Sequence, residues 1–385
     1  MSGEGEPIRR ALGAITLTRL AGNTLTRFPY MFITAISRGL GIRLESTTAI
    51  LGFRELGGLA APAIGQLADR GHERRTMAGG AAIAGLATLS ISLIHGPALF
   101  TVLLVVGGIA VPGFLTAQSA WIGHRVPFER QSRVFGVIEL SWAGGLLIGV
   151  PICAWLESAF GWRAMFVFSG GSLLVAAALT WAVVPPDDTM YAADAARPTI
   201  DRALVGMYAY AVLQPFGQMF VFAVNGDWFV KHLGMSNGAL AASTFVIGVG
   251  EAVGTGAVAV VSDRMGKRRA GIAGMAIAAP MALGLGLVHD TTGGAGRWVG
   301  VVLVATFAAG IEFSFVSALP LFVELAPDAR ARTLGTALAL MTVSRAVASA
   351  VGGVVYVHGG MAASGVVGGT AMALAGGALW VGRER

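Results

Sequence analysis

Eight charged side chains stand inside stretches that otherwise have the character of membrane spans: Arg19, Arg27, Arg54 and Arg345, with Glu55, Glu139, Glu251 and Glu312. A charge in hydrocarbon costs at least ~2.5–3.5 kcal/mol per residue. A chain that carries eight has to hide them from lipid, pair them or hydrate them. Guanidinium groups in such a place suit anion binding or ion pairing. Carboxyls suit pairing or proton uptake. The set implies a polar pathway through a helical bundle.

Spacing organises part of this set. Arg19, Asn23, Arg27 and Tyr30 recur at intervals of four, four and three, which puts them on one face of a helix. By rise per residue the stripe runs ~17 Å. A second stripe, Tyr210, Gln214, Gln218 and Asn225, follows a similar rhythm far along the chain. Each stripe admits two readings, a hydrated path or interhelical hydrogen bonding worth ~0.6 kcal/mol per contact. Glue of that kind does not require full charges.

The elements that must position these groups are transmembrane helices. The 385 residues are 55% hydrophobic and 12% charged, and the mean hydropathy is +0.71. A soluble domain carries about 25% charged residues. A span needs ~20 mostly apolar residues, and twelve segments qualify: 11–36, 47–68, 76–95, 98–122, 134–156, 163–184, 203–229, 238–261, 270–288, 298–322, 333–356 and 363–381. The polar stretch 185–202 splits the chain into a first bundle, 1–184, and a second, 203–385. Arg38, Arg43, Arg163, Lys231 and Arg297 fall in alternate loops, and four arginines fall inside segments. The other eighteen of the 27 basic residues lie on the opposite side. That bias predicts cytoplasmic termini. The N-terminal MSGEGEPIRR lacks the pattern of a cleaved signal peptide.

Several classes are excluded. One cysteine, Cys153, allows no internal disulfide and no cysteine metal site. The six histidines stand at helix ends or loops, and none is expected to bind metal. No G-x-x-x-x-G-K-[ST] occurs, so ATP is not the expected energy source. The net charge of +6 sits in short loops and orients the chain, with no sign of nucleic acid binding. No cofactor is expected.

The two halves repeat. Leu40-Gly41-Ile42 matches Leu233-Gly234-Met235 at an offset of 193. The run from Asp69 to Arg75 (DRGHERR) matches that from Asp263 to Arg269 (DRMGKRR) at 194. PFER, from Pro127 to Arg130, matches PDAR, from Pro327 to Arg330, at 200. Parallel six-helix repeats of this kind place a site at the midplane between them.

Gly65-Gln66-Leu67-Ala68-Asp69-Arg70-Gly71 with Arg74 and Arg75 resembles the loop 2–3 signature of the major facilitator superfamily. GWRAMF, from Gly161 to Phe166, resembles the GWRxxF that opens its sixth helix. The resemblance covers the whole chain. It implies an all-α membrane protein of 12 transmembrane helices in two pseudo-symmetric bundles, monomeric, in the inner or plasma membrane. It also implies that the first and seventh helices line a cavity. Arg19, Asn23, Arg27, Tyr30, Gln214, Gln218 and Asn225 would then bind substrate. Gly65, Asp69, Arg70, Asp263 and Arg264 would form a cytoplasmic gate. The chain departs from the drug:proton antiporter branch in its fourth helix, where Leu103–Gly108 carries no arginine.

Depth suggests pairings. Arg27 and Glu55 lie at matching depth, with Arg54 turned about 100° away. Glu312 matches Arg345, and Glu251 is equally deep. Burial raises a carboxyl's pKa and a nearby arginine lowers it, a balance that suits proton coupling. Glu55, Glu251, Glu312 and Arg345 are the expected coupling residues, with Glu139 ranked last. The expected activity is proton-coupled export of a small amphiphilic or drug-like molecule. The alternative is proton-coupled uptake of a small organic anion. A membrane-embedded lipid enzyme and a non-transporting sensor are minor alternatives.

Overall fold

The structure is a computed structural model and describes residues 5–126, 128–186, 202–288, 294–325 and 330–381. It is all helical among these residues. In hydrocarbon every backbone N–H and C=O must be satisfied within the segment, and a helix does this for the apolar runs of this chain. Among the described residues eight helical stretches are long and apolar enough to cross a membrane, so the chain is a multi-pass membrane protein. The last of them, Thr333–Val381, has 49 residues, about 74 Å of helix at 1.5 Å per residue. That is more than twice the ~30 Å hydrocarbon core, and Gly360 (φ 66°, ψ −167°) breaks it in two.

The early helices are less apolar because they hold the charges. The first helix, α1 (Gly5–Met31), carries Arg19 and Arg27. It breaks at Phe32 and resumes as α2 (Ile33–Leu40). Next come α3 (Leu44–Glu55), a 3-10 turn over Leu56–Ala60, and α4 (Ala61–Leu67). They are followed by α5 (Glu73–Ile91) and α6 (Pro97–Arg125). Then α7 (Phe128–Gly144) continues through a π-helical turn into α8 (Val150–Phe160), and α9 (Trp162–Val183) follows.

The second series opens in the same way. A long helix, α10 (Arg202–Phe222), breaks at Val224 and resumes at α11 (Asn225–Asp227). At the 193-residue offset Val224 is the counterpart of Met31, the residue before the break at Phe32, so the two lead helices interrupt within one or two residues of the same place. Both segments then end on a left-handed glycine, Gly41 at φ 66° and Gly234 at φ 58°. After these stand α12 (Asn237–Ala257), α13 (Asp263–Met265), α14 (Lys267–Gly284), α15 (Ala295–Glu324) and α16 (Arg330–Val381).

By contact the chain forms two compact units. One comprises Met1–Pro29 with Phe53–Asp194, and the other Tyr30–Gly52 with Ala195–Arg385. Residues 30–52 therefore pack with the second unit although they belong to the first repeat. Without a hydrophobic drive between helices in lipid, close packing holds each unit together. In the first unit an apolar cluster of Ile15, Met77, Phe114, Trp121, Ile138 and Val184 joins α1, α5, α6, α7 and the end of α9. In the second, Gly274 of α14 meets Gly310 of α15 at backbone contact.

Candidate functional site

The first-helix stripe meets α7. Arg19 Nη2 donates to both carboxylate oxygens of Glu139, at 2.7 and 2.9 Å. One turn on, Asn23 Nδ2 donates to Ser141 Oγ at 3.1 Å. One turn further, the Arg27 guanidinium lies 4.4 Å from the ring centre of Trp142. Asn23 and Ser141 are short, and they meet only because the two helices approach closely. A Cβ at Gly149 would stand 2.0 Å from Thr24 Oγ1, so the glycine run that follows α7 is what admits α1. Thr18, Arg19, Gly22, Asn23, Val111 and Phe114 line a narrow crevice on this face.

Arg54 has a different cause. Pro29 lacks the N–H that would bond the carbonyl of Leu25 four residues earlier. Arg54 Nη1 donates to that carbonyl at 3.4 Å, and Nη2 donates to Thr26 O at 3.2 Å and to Glu55 Oε1 at 2.6 Å. Its side chain is only 7% exposed. Arg54 is therefore not turned away from Glu55. The angular step separates the Cβ atoms, but a long side chain drawn to an orphan carbonyl crosses that angle. The pair is a structural feature of the α1–α3 junction.

In the second unit Tyr210, Gln214, Gln218 and Asn225 are all buried. Tyr210 Oη lies 3.0 Å from Ser314 Oγ, which itself donates to Gly271 O at 2.7 Å. Tyr210 is thus a link to α15 and α14. Asn225 Oδ1 is buried with no hydrogen-bond partner. Tyr30 packs in this unit, with its hydroxyl 3.2 Å from Ser349 Oγ. Glu251 is 1% and Glu312 8% exposed. Arg345, on α16, is half-buried.

At the loop signature, Arg70 and Arg264 are exposed. The side chains of Asp69 and Asp263, and Gly65, lie outside the described residues. Arg74 Nη1 reaches Val184 O at the end of α9 at 3.4 Å and stacks on Trp181 at 4.3 Å. Its repeat counterpart Arg268 donates to Leu379 O near the end of α16 at 3.0 Å. A cation at the carbonyl end of a helix is favourable, so these arginines fasten one helix to another in both repeats.

Among the described residues two further buried acids lie outside the expected site residues. Asp227 is 1% exposed. Glu73 opens α5, where its charge suits the helix dipole, and it pairs with His124 and Arg125. Its position inside the loop signature, among the basic residues Arg70, Arg74 and Arg75, conceals it. Glu73→Gln is expected to lower stability by about 3 kcal/mol, the low end for a broken buried ion pair. The low end applies because His124 and Arg125 keep 22% and 20% exposure. A thermal shift of the purified protein in detergent measures it.

The sequence profile of the Major Facilitator Superfamily matches residues 20–353. The chain belongs to this superfamily. Its relatives include the multi-drug resistance efflux pump PmrA of Streptococcus pneumoniae, 26% identical over 167 residues. That match covers 41% of this chain and 42% of the pump, so the chain spans about two-fifths of the relative's length. The fold is that of the D-xylose-proton symporter, with a TM-score of 0.77 at 18% identity over 97% of both chains. The human organic anion transporter MFSD10 (TETRAN) also matches, with a TM-score of 0.68 at 17% identity, over 96% of this chain and 99% of the other.

Proposed function

We propose that this superfamily member is a proton-coupled exporter of a small amphiphilic or drug-like organic molecule, working by alternating access in a bacterial-type inner membrane. It has twelve spans with both termini inside, so the ends carrying Gly41 and Gly234 face outward. The observation that carries the reading is the burial of Glu251 and Glu312 in the second unit, at 1% and 8% exposure. Carboxyls so placed titrate with a change of access, which coupling requires. The partial match to a multi-drug efflux pump supports export. Gln214, Gln218 and Asn225 contact substrate with Asn23, Arg27 and Tyr30. Arg345 holds the charge balance of the coupling acids. Asp69, Arg70, Asp263 and Arg264 with Gly65 form the inner gate. The protein acts as a monomer.

The second reading, proton-coupled uptake of an organic anion, is favoured by Arg27 on its Trp142 platform. Proteoliposomes with imposed pH gradients of either sign separate the two. Acid on the outer side is expected to drive substrate outward. Inward accumulation under the same gradient selects uptake, and indifference to both signs removes proton coupling.

A further inference from the structure

Thr34 and Asp227 stand 193 residues apart, the offset that separates Gly41 from Gly234. They are the same position in the two repeats, and the structure joins them: Thr34 Oγ1 donates to Asp227 Oδ1 at 2.7 Å. Tyr356 Oη of α16 donates to Oδ2 at 3.2 Å. Lys231 Nζ, four residues on, pairs with Oδ1 at 2.8 Å. A carboxylate that is 1% exposed thus holds donors from α2, α16 and its own segment. The backbones touch beside it, since a Cβ at Gly226 would stand 2.3 Å from Met31 O and 2.4 Å from Tyr30 O. The Tyr30–Ser349 contact lies on the same segment.

Symmetry makes this arrangement informative. When equivalent positions of a repeat meet, identical side chains meet as like against like. Two aspartates would repel, and two threonines would form a weak neutral bond. Here the second repeat supplies the acceptor charge and the first the donor, so one substitution converts a neutral crossing into a charge-assisted one. The donors also divide by chain position. Thr34 and Tyr356 come from other segments. Lys231 travels with Asp227, and its side chain is 51% exposed. It can keep the carboxylate neutralised when the other two leave.

We propose that Asp227 is the bolt of an outer gate, closed here by Thr34 and Tyr356 and kept charge-neutral by Lys231 when the gate opens. The proposal rests on the transporter reading and its outward orientation of this end. The alternative is a static tie that never parts.

The test uses the full chain with Cys153→Ala and a single thiol introduced by Ser349→Cys, buried beside Tyr30 in the closed gate. A membrane-impermeant maleimide is applied from outside. Asp227→Asn is expected to raise the labelling rate roughly tenfold, the shift produced by losing a hydrogen bond to a charged group. Thr34→Val and Tyr356→Phe are expected to give smaller rises, and they carry the test if Asp227→Asn fails to fold. Labelling unchanged in monodisperse variants overturns the gate. Flux measured on the same variants is a separate readout. Labelling that rises in a protein that moves no substrate supports the gate and counts against the function.

Discussion

Replacing Gly57 with valine is expected to remove nearly all folded protein from the membrane, while Gly107→Ala leaves the yield unchanged. A Cβ at Gly57 would lie 2.2 Å from the carbonyl carbon of Gly108, 2.4 Å from its oxygen and 2.5 Å from the nitrogen of Ile109. The reverse contact is as close, with a Cβ at Gly108 falling 2.2 Å from Arg54 O. Both sides of this crossing are backbone, so no rotamer change relieves it. Overpacking by added methylenes costs ~1–3 kcal/mol even where side chains can shift, and here the helices themselves would have to separate. Separation would also strip Arg54 of its packing against Gly108. Gly107 is the neighbouring residue of the same helix and is buried, yet nothing lies within 4 Å of its Cβ position. Alanine there removes the helix penalty of glycine, ~0.5–1 kcal/mol. Size-exclusion chromatography of fluorescent fusions reads both outcomes. A monodisperse Gly57→Val protein at normal yield would show that α6 and the turn after α3 do not pack as described.

This pair of glycines marks where the sequence stops being legible. Composition and spacing identify Gly107 and Gly108 equally as small-residue contacts, because periodicity gives a face only to within the width of a side chain. Which glycine touches a neighbour depends on a crossing point that no local pattern encodes. The polar stripe of the first helix is legible for the opposite reason, since intervals of four and three follow from helix geometry alone. Its partners on α7 are not, because Glu139, Ser141 and Trp142 have no matching rhythm. The repeat was the most informative signal. It places the two left-handed glycines and the paired Arg74 and Arg268 contacts at helix ends, and it gives Thr34 and Asp227 a common address. Burial was the least visible property. Glu73 sits among basic residues in the chain and is enclosed in the fold, whereas Glu139 sits in an apolar run and is half exposed.

Arg27→Gln is expected to raise the KM for an acidic substrate about tenfold to a hundredfold, and Arg19→Gln less than about threefold. The measure is flux at matched protein levels. The lost interaction in the first case is a charge-assisted hydrogen bond, worth ~1.5–3 kcal/mol. The two arginines share one helical face but differ in what already engages them. Arg19 commits one nitrogen, Nη2, to both oxygens of Glu139, so its charge is already paired. Glu139 is 46% exposed, so this pair contributes no more than about 1 kcal/mol. Charge reversal at both positions, Arg19→Glu with Glu139→Arg, should restore whatever Arg19→Gln loses. Arg27 is 9% exposed and is presented on the face of Trp142. Stacking of this kind is worth ~2 kcal/mol when desolvated, and it holds the guanidinium in place. Lysine at position 27 would keep the charge and lose the planar fork, so Arg27→Lys should recover little for a carboxylate substrate. If Arg27→Gln and Arg19→Gln both transport normally, anion recognition by this helix is wrong. If Arg27→Gln accelerates a cationic substrate, the arginine acts as a repulsive filter, and the exporter reading gains over uptake of an anion.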